Sequence, residues 1–247
     1  MAAASQPSTI LSFEDARHLV EGHAAMLRAQ GKELVDVLES VGRILAEPLA
    51  ADRDFPPFPR AARDGYAVRA ADLAQPPATL RIIGEVRAGA SASEPPLHLE
   101  SGQAITIMTG APAPPGADAI VMVEHTSRQG DQVEIRASIE AGANIVPRGS
   151  EAKRGEKLLT PGMRLDAAAI AVAASVGRSH LLVYSKPRVA VLSTGDEIVD
   201  IDVLPTPNQI RNSNSYSLAA QVQAAGGEAM LLPIAPDEPT RLQELIS

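Results

Sequence analysis

With 247 residues the chain suits one or two ordinary domains, and with only 2% aromatic residues its core must be built mainly from Val, Ile, Leu and Ala. A net charge of -8 and only four lysines (Lys32, Lys153, Lys157, Lys186) exclude the extended basic surface that phosphate backbones require, so no nucleic acid is expected as a partner. The absence of cysteine excludes disulfides, a thiolate nucleophile and thiolate metal sites, and it fits a reducing compartment.

Residues 1–12 carry no Lys or Arg, which argues against a secretory signal, and Ser5 to Thr9 reads as a frayed polar start. Ser12 is placed to cap a helix whose inward face would be Phe13, Ala16, Leu19, Val20, Ala24 and Leu27, ending near Gly31. His18 and His23 diverge around such a helix by more than a quarter turn, so they are set aside as metal ligands. A second short helix is expected over 38–46, closed by Glu47-Pro48.

From Ala50 the texture changes. Asp52-Arg53-Asp54-Phe55-Pro56-Pro57-Phe58-Pro59 is too rich in proline for a helix or a central strand and reads as a domain crossing. Beyond it, β-type runs at 66–69, 80–86, 104–108, 119–123 and 132–135 are separated by Gly and Pro clusters. Residues 50–150 therefore read as a small β domain inserted into a helical and extended domain made of 10–49 and 151–185.

Two places in the insert stand out. In Arg63-Asp64-Gly65-Tyr66 an acid sits at a turn just before a strand, and Asp-Gly is commonly nothing more than a turn. In Met108-Thr109-Gly110-Ala111-Pro112 a β run ends in a hydroxyl followed by a bend that would expose it, or else simply in a strand terminus. Each pattern alone fits both readings.

Helical character returns over 166–176, with Asp166 as cap and Gly177 as stop; this most apolar stretch is far short of the ~20 residues needed to cross a bilayer. No membrane span and a cytoplasmic location are expected. A strand follows at 181–184. Then Val189-Ala190-Val191-Leu192, an unbroken apolar run expected to be a fully buried strand, opens into Ser193-Thr194-Gly195-Asp196-Glu197. Arg211-Asn212-Ser213-Asn214-Ser215 supplies polar groups for capping a helix with apolar positions Leu218, Ala219, Val222 and Ala225. A strand over 230–234 would complete a βαβ, in which ligands collect beyond the carboxyl ends of parallel strands. Asp196 and Glu197 then lie either at a ligand edge or on an ordinary solvated turn. The segment from Pro239 to Ser247 begins an amphipathic helix, and the α/β layer, 186–247, is expected to be incomplete.

Taken in order, Gly42-Arg43-Ile44-Leu45-Ala46, Arg63-Asp64-Gly65-Tyr66-Ala67-Val68-Arg69, Ile107-Met108-Thr109-Gly110-Ala111-Pro112, Ser193-Thr194-Gly195-Asp196-Glu197 and Ile210-Arg211-Asn212-Ser213-Asn214 closely resemble the MoeA-type molybdopterin molybdenumtransferases. The resemblance covers essentially all of the chain but only the front part of such a protein, so the chain reads as truncated within the molybdopterin-binding domain. It implies a multidomain α/β and all-β fold: the helical and extended domain, the inserted β domain, and the start of a parallel-sheet molybdopterin-binding domain. It also implies a homodimer and a transferase reaction of molybdenum cofactor biosynthesis, in which adenylylated molybdopterin receives molybdate and AMP and molybdenum cofactor are released. Mg2+ is the implied divalent cofactor, and the molybdopterin adenylyltransferase an implied partner.

Carried over residue by residue, the resemblance implies Asp64, Thr109 and Glu197 as catalytic positions. Ser193, Thr194, Gly195, Asp196, Arg211, Asn212, Ser213 and Glu151 fall on the cofactor-binding side, and Asp64, Asp196 and Glu197 would hold the metal. Glu151 departs from the family pattern, following Gly149-Ser150, with Val146 and Pro147 where arginines are common. Two other readings stand beside this one. One is a non-catalytic scaffold or inactive fragment of the same architecture. The other is a different nucleotide-binding α/β enzyme, which the lack of a Gly-x-Gly-x-x-Gly or P-loop lysine pattern after Val189 disfavours.

Overall fold

The computed structural model describes residues 10–27, 31–89 and 97–246, so the expected frayed start at Ser5 to Thr9 lies outside the described residues. The chain divides into two compact units, Pro48–Leu159 and the flanking segments Met1–Glu47 with Thr160–Ser247.

The first unit is built on a six-stranded mixed sheet in the order Ala119–Met122, Gly65–Val68, Gln103–Ile107, Ala78–Val86, Gln132–Ile135 and Thr126–Gln129. All pairs are antiparallel except Ala78–Val86 with Gln103–Ile107. Both faces of this sheet are covered, and the period-two alternation of strands sorts the side chains between them. Tyr66, Val68, Ala104, Ala119 and Val121 enter one core with Leu80, Val133 and Ile135. Ala67, Ile105, Ile107 and Ile120 enter the other with Leu99 and Ala111.

Short pairings close the base of the unit: Leu49–Ala50 with Lys157–Leu159, Arg60–Ala61 with Ile145–Val146, and a bridge between Phe55 and Ala152. The incoming and outgoing chains are thereby hydrogen-bonded to each other. Residues 151–159, read from sequence as part of the helical and extended domain, lie in the β unit for this reason.

In the flanking unit, helix α1 (Phe13–Met26) starts where Ser12 accepts a hydrogen bond from the Asp15 N–H. Its expected inward face is not covered: no residue of α1 is buried, with Phe13 78% and Val20 67% exposed. Amphipathic spacing specifies that a face will be apolar but not what meets it, and among the described residues nothing buries this one.

The helix expected over 38–46 is absent. Residues 37–42 form turns, and Ile44 and Leu45 bridge to Arg164 and Val183. Gly42 takes a left-handed φ of 77°, and its N–H, like that of Leu45, donates to a carbonyl of the 163–165 segment rather than within a helix. This arrangement buries Leu45 completely. The preceding strand, Lys32–Asp36, pairs antiparallel with His180–Tyr184. Helix α2 (Ala167–Ser175) is capped by Asp166, whose carboxylate accepts from the Ala169 N–H.

The last segment forms the expected parallel βαβ: strand Arg188–Val191, helix α3 (Ser213–Ala224) and strand Glu228–Leu231, with Val189 opposite Ala229. Ile198–Val199 and Ile210–Arg211 add a second short parallel pair, and helix α4 (Pro239–Ile246) follows. Contrary to the apolar run's promise, Arg188, Val189 and Ala190 are exposed and only Val191 is buried. A parallel strand is enclosed only when helices lie on both faces of the sheet, and here α3 packs against the two-stranded layer. Among the described residues, no helix is long and apolar enough to cross a membrane.

Candidate functional site

Antiparallel pairing of Gly65 with Ile107 sets the start of one central strand beside the end of its neighbour. Asp64, just before the first, and Thr109, just after the second, therefore meet. Asp64 Oδ1 accepts from the Thr109 backbone N–H at 2.6 Å and from the Thr109 hydroxyl at 2.7 Å. The backbone N–H of Thr109, and then its hydroxyl, hold the Asp64 carboxyl below its ordinary pKa, against a weaker opposing effect of desolvation. Both side chains are exposed, so the site presents an ionised carboxylate whose direction is set by a turn and not by burial.

Gly65 is what allows this turn to enter the sheet. A Cβ there would lie 1.9 Å from the Val121 carbonyl oxygen and 3.0 Å from the Val123 nitrogen, both backbone atoms that cannot step aside. The Val123 N–H in turn donates to the Asp64 carbonyl at 3.2 Å, tying the acid to the edge strand as well.

Elsewhere in the β unit, Glu151 is paired with Arg60 at 2.8 Å, and Arg148 with Asp54 at 2.7 Å. Asp54 also accepts from the Arg154 backbone N–H at 3.0 Å; that bond first, and the Arg148 side chain second, lower its pKa. Val146, where an arginine was expected by resemblance, is instead a strand residue opposite Arg60. Arg60 and Asp54 were not singled out in the sequence, because the signal is a cross-strand partnership some ninety residues long.

In the flanking unit, the strand Arg188–Val191 ends in a loop held on two sides. On one side Thr194 bridges to Ala235, and Gly195 N–H donates to the Ala235 carbonyl at 3.1 Å. Asp237 N–H reaches Asp196 Oδ1 at 3.4 Å. On the other side, the Ile210 N–H donates to the Glu197 carbonyl at 2.8 Å and the Asn212 N–H to the Val199 carbonyl at 2.9 Å. Gly195 is buried with φ 142°, while Thr194, Asp196 and Glu197 are exposed around it. A Cβ on Gly195 would stand 2.6 Å from Glu197 Oε2, so the glutamate carboxylate folds back over the glycine.

Asn212 caps α3, its Oδ1 accepting from the Ser215 N–H and from the Ser193 hydroxyl at 3.0 Å. Ser213 begins the helix and is exposed; the Arg211 guanidinium donates to the Val203 carbonyl at 3.1 Å. All eight of Ser193, Thr194, Gly195, Asp196, Glu197, Arg211, Asn212 and Ser213 thus lie on one loop-and-helix-start assembly at the carboxyl end of the parallel strand, where the topology of open α/β sheets collects ligands.

Residues 11–177 match the family profile described as "MoeA N-terminal region (domain I and II)". The chain belongs to the MoeA family. Residues 190–247 match a second profile, "Probable molybdopterin binding domain". The chain is 40% identical over 222 residues to a Nostoc molybdopterin molybdenumtransferase, covering 88% of this chain and 50% of that protein. With the Bacillus subtilis molybdopterin molybdenumtransferase it shares 36% identity over 214 residues, covering 83% and 49% respectively. It therefore spans about half the length of these curated relatives. Among solved structures, a molybdopterin biosynthesis MoeA protein of Pyrococcus horikoshii superposes with a TM-score of 0.76 at 34% identity, covering 96% of this chain and 60% of the other. The mixed α/β architecture is that of MoeA proteins.

Among the described residues, no group of three or more His, Cys, Asp or Glu side chains is placed to hold a metal ion. Asp64 lies in the β unit, with its Oδ1 already engaged by Thr109, and Asp196 and Glu197 lie in the flanking unit. The structure also adds residues that sequence reasoning passed over: Ser215, which completes the polar group behind the loop, and Ala235 with Asp237, which clasp it from the next strand's exit. For Ser215 the signal was visible as the last member of a five-residue polar run, but a run of equivalent caps does not say which one turns inward.

Proposed function

We propose that this MoeA-family protein is a molybdopterin molybdenumtransferase of molybdenum cofactor biosynthesis, inserting molybdate into adenylylated molybdopterin with release of AMP and molybdenum cofactor. The observation that carries the reading is the Asp64–Thr109 pair, an exposed carboxylate kept ionised and aimed by two donors of one threonine, in a chain whose other candidate residues, Glu151 apart, gather at the end of a parallel strand. In this reading Asp64, Thr109 and Glu197 act at the phosphoanhydride. The loop Ser193 to Glu197, with Arg211, Asn212 and Ser213, receives the pterin-phosphate, and Glu151, paired with Arg60, is a further ligand-side residue of the β unit.

Mg2+ suits this donor set. It is a hard ion that binds through one or two carboxylates, keeps waters and takes its remaining ligands from substrate phosphate, so paired acids such as Asp196 and Glu197, or Asp64 alone, are sufficient protein donors. When bound it supplies charge neutralisation at the phosphate oxygens. The adenylylated substrate has to come from a molybdopterin adenylyltransferase, which is the expected partner in a cytoplasmic pathway. The uncovered apolar face of α1 supports a homodimer in which a second copy covers it.

The test is direct. Purified protein given adenylylated molybdopterin, Mg2+ and molybdate is expected to release AMP, and Asp64→Ala and Glu197→Ala are expected to impair the release. AMP release at the parent rate in both variants, or none from the parent, rejects the reading.

A further inference from the structure

Behind the exposed loop of the α/β segment lies a small closed group of polar side chains whose hydrogen-bond directions can be worked out. Ser193 Oγ lies 3.0 Å from Asn212 Oδ1 and 2.6 Å from Ser215 Oγ, and the Ser215 N–H lies 3.2 Å from the same Asn212 oxygen. Asn212 is 7% and Ser215 3% exposed. The Ser215 N–H is an obligate donor, so the atom of the Asn212 carboxamide facing it must be the oxygen. The Ser193 hydroxyl then gives its one proton to that oxygen. Its own oxygen is left to accept, and the Ser215 hydroxyl must be the donor across the 2.6 Å contact.

Each proton of the ring is thereby assigned, and two things follow. Strand end and helix start are fastened at Ser193 and Asn212, the two ends of the segment that contains Asp196 and Glu197. The Asn212 carboxamide is also held with its oxygen inward, which keeps Nδ2, with two N–H donors, outside the ring. Those donors suit a negatively charged oxygen, the chemistry of the phosphate-bearing ligand proposed above.

We propose that Ser215 is a positioning residue for this site. Its hydroxyl orients Ser193 and, through it, the Asn212 carboxamide, so that the loop Thr194 to Glu197 is presented in one geometry to an anionic pterin-phosphate. Ser215 touches no reacting atom; its action is through the ring. The substrate half of this inference rests on the function proposed above, and the geometric half does not.

The experiment has a ligand-free and a ligand-bound arm. Amide hydrogen exchange on Ser215→Ala is expected to show about tenfold faster exchange at Gly195 and Ile198, the order expected for losing one neutral hydrogen bond, with the strand Gly65–Val68 unchanged. Ser193→Ala is expected to do the same, and the double variant no more than either single one, because the ring is broken once. Titration with adenylylated molybdopterin is expected to give a Kd about tenfold weaker in each variant at nearly unchanged Tm. Unaltered loop exchange in Ser215→Ala, or fully additive effects of the two substitutions on exchange, overturns the positioning role. Faster loop exchange with an unchanged Kd overturns its connection to the ligand. If the parent protein itself binds no adenylylated pterin, the functional reading fails, and the exchange arm still judges the ring.

Discussion

Asp64 and Thr109 are joined twice at a single oxygen: the threonine gives both its backbone N–H and its hydroxyl to Asp64 Oδ1, at 2.6 and 2.7 Å. Because the larger effect on the carboxyl comes from the backbone, substitution of Thr109 removes only part of the arrangement, which makes the pair divisible by experiment.

Thr109→Val keeps the N–H and deletes the hydroxyl. AMP release is expected to fall roughly tenfold, whereas Asp64→Asn, which removes the charge, is expected to cost roughly a hundredfold or more. Steady-state kinetics on the two variants decide this, and equal losses would contradict the division of labour.

The same variant has a pH signature. The folded protein lowers the Asp64 pKa, so its contribution to stability is present above the ordinary carboxylate value and is lost as pH falls through the lowered one. Thr109→Val moves the titration up toward the ordinary range. Parent and variant should therefore differ in stability at neutral pH and converge in acid, and a carboxyl NMR titration of Asp64 should show the upward displacement.

Gly65→Ala forces a methyl to 1.9 Å from the Val121 carbonyl oxygen between two paired strands. Overpacking against backbone is expected to destabilise the β unit by about 3 kcal/mol, readable as a lower midpoint in urea. A loss below about 1 kcal/mol would show that the strands can part.

Gly195→Ala tests a different kind of crowding. The added methyl meets a movable carboxylate, Glu197 Oε2 at 2.6 Å, although φ at 142° remains unfavourable for alanine. A stability cost of about 1–2 kcal/mol is expected, with a disproportionate loss of AMP release as Glu197 is pushed out of place. Undiminished activity would show that the folded-back carboxylate is not the working conformation.

Leu19→Asp with Val20→Asp places charges on the uncovered face of α1, where these side chains are 53% and 67% exposed. Within one chain they cost little. A dimer that buries this face is expected to dissociate, and sedimentation should show monomer for the variant and dimer for the parent.

Local chemistry was legible from the residues. Ser12 and Asp166 announced their helices because a side-chain oxygen satisfies an N–H only a few residues away. The short apolar runs of the β unit, set off by Gly and Pro clusters, announced strands, and both faces of that sheet are buried. Asp64, Thr109 and Glu197 were found by resemblance; their patterns alone fitted ordinary turns equally well. What the sequence left open was everything that depends on a distant partner. Residues 38–46 carry helical spacing, yet they give up helical hydrogen bonds for carbonyls of the 163–165 segment. The apolar run at Val189 is exposed because burial belongs to whatever layers cover a strand, and the apolar stripe of α1 is uncovered for the same reason. The meeting of Asp64 with Thr109 and the choice of Asn212 and Ser215 within a run of similar polar residues were likewise set by strand register and chain crossing, long-range pairings that composition and periodicity do not encode.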